Sequence, residues 1–137
     1  MHSIVREILR MAELDPPLTA ESLLDVLVRR DIVRAKFLAQ MERYPILLCP
    51  VSAIPAFRHG ERSWAIGNRT VEYPDAFSYS QYFNLLGNPA AVVPMGRSAE
   101  GLPIGVQIVG RPWEEERVLA ISRSVEQAGG WQGPPSE

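Results

Sequence analysis

The stretch from Tyr79 to Gly110, YSQYFNLLGNPAAVVPMGRSAEGLPIGVQIVG, most constrains what this chain can fold into. Two short runs rich in β-branched residues, Ala90-Ala91-Val92-Val93 and Ile104-Gly105-Val106-Gln107-Ile108-Val109, flank a polar connection from Gly96 to Gly101. That arrangement predicts an antiparallel hairpin over 90–94 and 104–109. Neither run alternates apolar with polar residues, so both faces of the sheet should be covered, and covering two faces takes helices on each side. A third run, Ile46-Leu47-Leu48-Cys49-Pro50, is short, apolar and flanked by prolines, and is expected to join the same sheet through long-range contacts.

The chain in order supplies the helices. Ile4, Ile8, Leu9 and Met11 with Val5 suit a short amphipathic helix stopped by Asp15-Pro16-Pro17. Thr19 reads as the N-cap of a long helix reaching about Tyr44, with Glu21 in its first turn and Asp25 and Arg29 paired on its surface. Leu23, Leu24, Leu27, Val28, Ile32, Ala35, Leu38 and Met41 recur at helical spacing as its core face. Arg29-Arg30 and Arg34-Ala35-Lys36 read as a solvated face rather than an anion site. From Val51 to Pro74 the text turns to Pro, Gly, Arg, Asn and Ser, which predicts a long irregular connection, a common place for function. A helix carrying Phe77, Tyr79, Tyr82 and Phe83 should then end at Gly87-Asn88-Pro89. Pro112 opens a last helix with Glu114, Glu115 and Glu116 in its first turn, a buried face of Val118, Leu119, Ile121, Ser122 and Val125, and a close at Gly129-Gly130. The tail from Trp131 to Glu137 reads as frayed.

A chain of 137 residues, 46% hydrophobic and 22% charged, suits one globular domain. A net charge of −2 provides no broad basic face, which argues against a nucleic-acid partner. The single cysteine, Cys49, excludes an intrachain disulfide and favours a reducing compartment. Arg6, Glu7 and Arg10 interrupt the only apolar stretch near the N-terminus, and no segment approaches membrane-spanning length, so the expectation is a soluble, cytoplasmic protein. Asn68-Arg69-Thr70 fits a glycosylation sequon, but without a secretory signal it reads as a chance match.

The search for chemistry mostly excludes. Gly96 to Gly101 is not followed by Lys-Ser or Lys-Thr, and Gly101-Leu102-Pro103-Ile104-Gly105 lacks dinucleotide-loop spacing, so no phosphate cradle or nucleotide cofactor is expected. His2 and His59 have no ligand partners at metal-binding spacing, and no serine sits in a Gly-x-Ser-x-Gly elbow. Cys49 with His59 remains as a thiol nucleophile and base, set against the simpler reading of a buried cysteine at a strand end.

These residues carry a resemblance. NLLGNPAAVVPMG over 84–96, then GLPIGVQIVGRP over 101–112, resembles the C-terminal region of amidase signature enzymes. Arg30 to Phe37 is similar to the family's helix, and Tyr44 to Pro50 to its Y-D-x-L-L-x-P strand, with Pro45 and Cys49 replacing the usual acid and Thr. The match covers about residues 28–128. It implies the C-terminal part of an α/β/α layered fold, a mixed sheet containing the hairpin and flanked by helices, with 1–137 as a single partial domain.

The implied activity is hydrolysis of carboxamide C–N bonds through a Ser, cis-Ser, Lys triad with a glycine- and serine-rich oxyanion loop. No stretch here resembles that loop, and the one lysine, Lys36, lies away from any serine motif. The expectation is therefore a C-terminal amidase fragment, inactive alone, supplying sheet and one wall of the substrate cleft, with no catalytic residue and no metal. Wall candidates are Pro50, Val51 and Ile54 in the loop after the strand, with Trp64 and Phe77. Asn84, Gly87 and Gln107 are expected to fix turns and satisfy buried backbone. Glutamine-dependent members place an acid near Phe77, and its absence favours a general amidase over an aminoacyl-tRNA amidotransferase component. The partner expected is a small amide substrate in the complete enzyme, with an apolar surface open to self-association or a partner chain. Two readings from other classes stand beside this one: an interaction module or half of a split enzyme, and a small cysteine hydrolase using Cys49 and His59.

Overall fold

The computed structural model describes residues 3–14, 16–129 and 133. The expectations placed on His2, Asp15, Gly130 and, Gly133 apart, the tail 131–137 lie outside the described residues.

The chain divides into two compact units, 1–33 and 34–137. The first holds helix α1 (Ser3–Leu14) and most of helix α2 (Ala20–Arg43). Thr19 starts α2 as expected: its Oγ1 accepts the Ser22 amide at 3.1 Å, while the Ser22 hydroxyl accepts the Thr19 amide at 2.9 Å. Two donors at the helix start with no helical partner are thereby satisfied. Asp25 and Arg29 pair at 2.8 Å. The core face read from periodicity is not realised over this part of the helix: Leu23, Leu24, Val28 and Ile32 are all exposed, Leu24 at 62%. Helical spacing identifies which side chains share a face, but burial needs something packed on that face.

The second unit contains strands β1 (Leu47–Pro50), β2 (Ser63–Ile66), β3 (Arg69–Glu72), β4 (Ala90–Arg97) and β5 (Pro103–Val109), and helices α3 (Tyr73–Ala76), α4 (Ser78–Leu86) and α5 (Glu115–Gly129). β1, β5 and β4 form one sheet in that order, and every described pairing in it is antiparallel. The hairpin and the long-range strand are thus where the sequence puts them, with β4 extended to Arg97 past a register shift between Pro94 and Gly96. That register places Ala91, Val93, Val106 and Ile108 on one face. There Val93 and Ile108 form a core with Val118 of α5, joined by Ile46, Ile121 and Val125. Gln107 belongs to the opposite face, where its Nε2 donates to the Tyr79 carbonyl of α4 at 3.4 Å. Val92 shares that face and stays 54% exposed.

Three expectations need correction. The connection from Val51 to Pro74 is not wholly irregular, because β2 and β3 pair as a second antiparallel hairpin closed by Gly67-Asn68. Gly67 takes φ +60°, the left-handed backbone that a two-residue hairpin turn needs at its first central position. The final helix begins at Glu115, since Pro112-Trp113 form a turn in which Trp113 has φ +69°. Leu119 is exposed, one helical step of about 100° away from Val118, on the side turned from the sheet.

At the other end, Gly87 caps α4 with φ +72° and donates to the Phe83 carbonyl at 2.9 Å. Asn88 Nδ2 then donates to the Gly110 carbonyl at 2.8 Å, and the Gly110 amide to the Pro89 carbonyl at 3.0 Å. This pins the end of α4 to the end of β5. Arg34 Nε adds a bond to the Leu86 carbonyl at 2.8 Å.

Candidate substrate cleft

β1 ends at Pro50 opposite Val106, so the loop leaving β1 and the turn joining β4 to β5 emerge at the same end of the sheet. Between them lies a cleft of about 410 Å³. One wall is Pro50, Val51, Ile54 and Pro55; the other is the turn segment carrying Ser98 and Glu100, with Ile104 and Gly105.

Local chemistry holds both walls. The Ala53 amide donates to the Ala76 carbonyl at 2.8 Å, tying the loop to α3, and the Ser52 hydroxyl donates to the Ile54 carbonyl. Ile54 is buried at 7% exposure. A Cβ at Gly105 would lie 2.8 Å from Val92 Cγ1 and at an ordinary contact distance of 3.6 Å from Val51 Cγ2, so the absence of a side chain lets Val92 close over the strand. In the turn, the Ser98 amide donates to the Leu102 carbonyl at 2.7 Å and the Ser98 carbonyl accepts the Gly101 amide at 2.9 Å, while Gly101 takes φ +82°. The Ser98 hydroxyl, with the backbone amide of Glu100 itself, holds the Glu100 carboxyl below the usual carboxylate range. It is therefore an anion at neutral pH.

Pro50, Val51 and Ile54 are accordingly brought together. Trp64 and Phe77 are not on these walls. They belong to an aromatic cluster in which Phe57 stands 4.9 Å from Trp64 and 5.9 Å from Phe77, ring to ring, and Tyr73 lies 4.9 Å from Phe77. This cluster backs the β2–β3 hairpin, and edge-on packing of that kind suits the ring quadrupoles. Ser98, Glu100 and Ile104 are wall residues that sequence reasoning does not reach. Their hairpin is predicted, but only the pairing of β1 with β5 carries its turn to the β1 loop.

Other candidates resolve differently. Gln107 and Gly87 serve the backbone as expected, whereas Asn84 stands exposed on α4 and takes no such part. Cys49 is half-buried with its sulfur 3.4 Å from Gln107 Nε2, while His59 is exposed in the loop ahead of β2. Among the described residues, no three His, Cys, Asp or Glu side chains gather as a metal site, and no helix is long and apolar enough to cross a membrane.

Comparison with known proteins places this geometry. The chain is 37% identical over 102 residues to the A subunit of glutamyl-tRNA(Gln) amidotransferase from Geobacter metallireducens, covering 74% of this chain and 20% of that relative. The same protein of Myxococcus xanthus is 36% identical, over 72% of this chain and 19% of its own length. Among solved structures, an amidase superposes with a TM-score of 0.80 at 28% identity, over 93% of this chain and 29% of its own. The A subunit of the Thermotoga maritima glutamyl-tRNA(Gln) amidotransferase follows at 0.62 and 30%, over 76% of this chain and 22% of its own. The chain thus spans about a fifth of the length of the curated relatives it matches. The family model for amidases matches residues 3–119, and the chain belongs to the amidase family.

Proposed function

We propose that the chain is one partial domain, the C-terminal section of an amidase-family hydrolase acting on carboxamide C–N bonds. In this role it supplies three strands of sheet and the Pro50, Val51 and Ile54 wall of the substrate cleft, with the Trp64 and Phe77 cluster behind. The observation that carries the reading is the cleft at the joint end of β1 and the β4–β5 hairpin, built from the segments that resemble the family's C-terminal motifs.

By itself the chain lacks the nucleophile, the lysine and the oxyanion loop. One oxyanion donor alone is worth about 10²- to 10³-fold in rate. The 137-residue chain should therefore give no turnover of a simple aryl amide, and co-expression with a segment carrying the Gly/Ser-rich loop and lysine should restore it. Turnover by the chain alone that survives repurification and a Cys49→Ser change would refute the reading. Position 77 itself carries a Phe packed among aromatic rings, the nearest acid in sequence being Asp75 in α3, and a Phe in place of the acid of glutamine-dependent members supports a general amidase over an amidotransferase component. A restored enzyme that hydrolyses glutamine as readily as a simple amide would overturn that choice.

A second reading, half of a split enzyme whose complement is another chain, is favoured by the exposure of Leu48 and Val92 on the sheet. Light scattering discriminates: a clean monomer in the presence of the complementary segment counts against it.

A further inference from the structure

Among the described residues on the cleft walls, Glu100 is the one ionisable side chain. Apolar Val51, Ile54 and Ile104 line the space with it, and Ser52 directs its hydroxyl to the Ile54 carbonyl. Arg97, the cation nearest in sequence, directs its guanidinium to the carbonyls of Gly101 at 2.8 Å and Gly133 at 3.0 Å. The cleft therefore combines an apolar floor with one negative charge at its rim, and no cationic wall residue opposes it.

We propose that this cleft selects a carboxamide substrate whose apolar body carries an organic ammonium group, with Glu100 as the specificity-determining residue that pairs with the cation. The inference rests on the cleft being a substrate wall and adds the substrate class to that reading. The turn is suited to the task, because Gly101 in the left-handed region and the Ser98–Leu102 bond fix the backbone that presents Glu100. With the backbone of the turn already fixed, only the freedom of the Glu100 side chain itself is lost when a ligand arrives. Removal of water by an apolar ligand body would strengthen the pair further.

The test is an NMR titration of the ¹⁵N-labelled 137-residue chain with benzylammonium, neutral benzyl alcohol and benzoate. Benzylammonium should shift amides within Val51–Ala56 and Ser98–Gly105 and bind about threefold to fivefold more tightly than benzyl alcohol, the scale of a solvent-exposed ion pair. Benzoate should bind most weakly. Glu100→Gln should abolish the preference while the remaining spectrum stays unchanged, and Glu100→Asp should retain part of it. Equal binding of ammonium and alcohol, a preference that survives Glu100→Gln, or no shift at Ile54 and Ile104 up to the probe's solubility would each overturn the proposal. The titration needs no turnover, so a failed amidase reading and a failed substrate class give different results.

Discussion

Gly110→Ala is the substitution for which the structure provides the sharpest expectation. A Cβ at this position would overlap Val118 Cγ2 and lie 3.7 Å from Pro89 Cγ. The first approach is well inside ordinary carbon–carbon contact, about 3.5–4 Å. Val118 cannot easily rotate away, because a helical valine has one strongly preferred χ1 and this one is 2% exposed against Val93 and Ile108. Helix α5 must therefore shift, and overpacking of this kind costs about 1–3 kcal/mol. Reduced freedom of the unfolded chain returns about 0.4–1 kcal/mol, leaving a net loss of about 1–2 kcal/mol. Val118→Ala alone should cost about 2 kcal/mol, from two lost methyl groups and the space they leave. In the double variant the alanine Cβ occupies that space, so its cost should fall well below the sum, near that of Val118→Ala alone. Urea unfolding of the four chains closes the cycle. Costs that add to within about 0.5 kcal/mol would show that the Gly110–Val118 approach does not limit the packing of α5, and the reasoning would fail.

Thr19→Ala removes the acceptor for the Ser22 amide and should lower helix stability by about 1 kcal/mol, seen as faster hydrogen exchange at Ser22 with exchange in β4 and β5 unchanged. Glu114 is bonded by Arg111, which holds its carboxyl below the usual range, with Arg117 adding to the effect. A carboxyl depressed in the folded state contributes stability that is present above its unfolded pKa and is lost as pH falls through the folded value. The acid limb of a thermal-unfolding profile should therefore be shallower in Glu114→Gln, and identical limbs would dismiss the pair. Phe57→Ala removes the ring that contacts Trp64, Tyr73 and Phe77 together, and should cost about 1–3 kcal/mol in the β2–β3 hairpin, read from the near-ultraviolet aromatic dichroism.

The elements legible in the sequence are those whose cause is local. Val92, Val93, Val106 and Ile108 declare strands because β-branched residues suit a pleated backbone, and the glycines and prolines around them mark the turns. Thr19 and Gly87 declare helix ends because each supplies what an end needs, a side-chain acceptor or a left-handed residue. The β2–β3 hairpin is faint in the sequence although Gly67-Asn68 is itself a two-residue turn signal, because Ser63, Ala65, Arg69 and Glu72 dilute its strands. The cleft is half legible. Its loop wall follows from the strand-to-loop break at Pro50, but its turn wall depends on β1 pairing with β5, a contact between residues far apart in the chain that no local pattern records.

The exposed apolar residues also bear on how the rest of an amidase fold would be held. Full burial of a Val or Leu is worth about 1.5–3 kcal/mol, so covering Val92, roughly half-exposed on the face opposite the α5 core, gains about 1 kcal/mol, while Leu48 lies on the other face with Ile108. Leu47 adds less, being only 36% exposed. The Val92 face of the sheet therefore offers at most about 2 kcal/mol. Association of two separate chains costs at least about 4 kcal/mol in translational and rotational freedom, so the sheet alone could not hold a complement supplied in trans. Leu24, Val28 and Ile32, which share one face of α2, offer about 3 kcal/mol on the same arithmetic, and a complement that also surrounds Leu23, Val26 and Val33 on its other sides would reach about 6 kcal/mol on α2 alone, enough to change the sign. A complement on a separate chain would thus depend on α2, whereas one on the same chain would escape most of the association cost and could rely on the sheet. Replacing Leu24 and Val28 by Ser separates the two cases. The pair of substitutions should abolish activity restored in trans and only weaken activity restored in cis, and equal losses in both arrangements would rule out α2 as the main attachment.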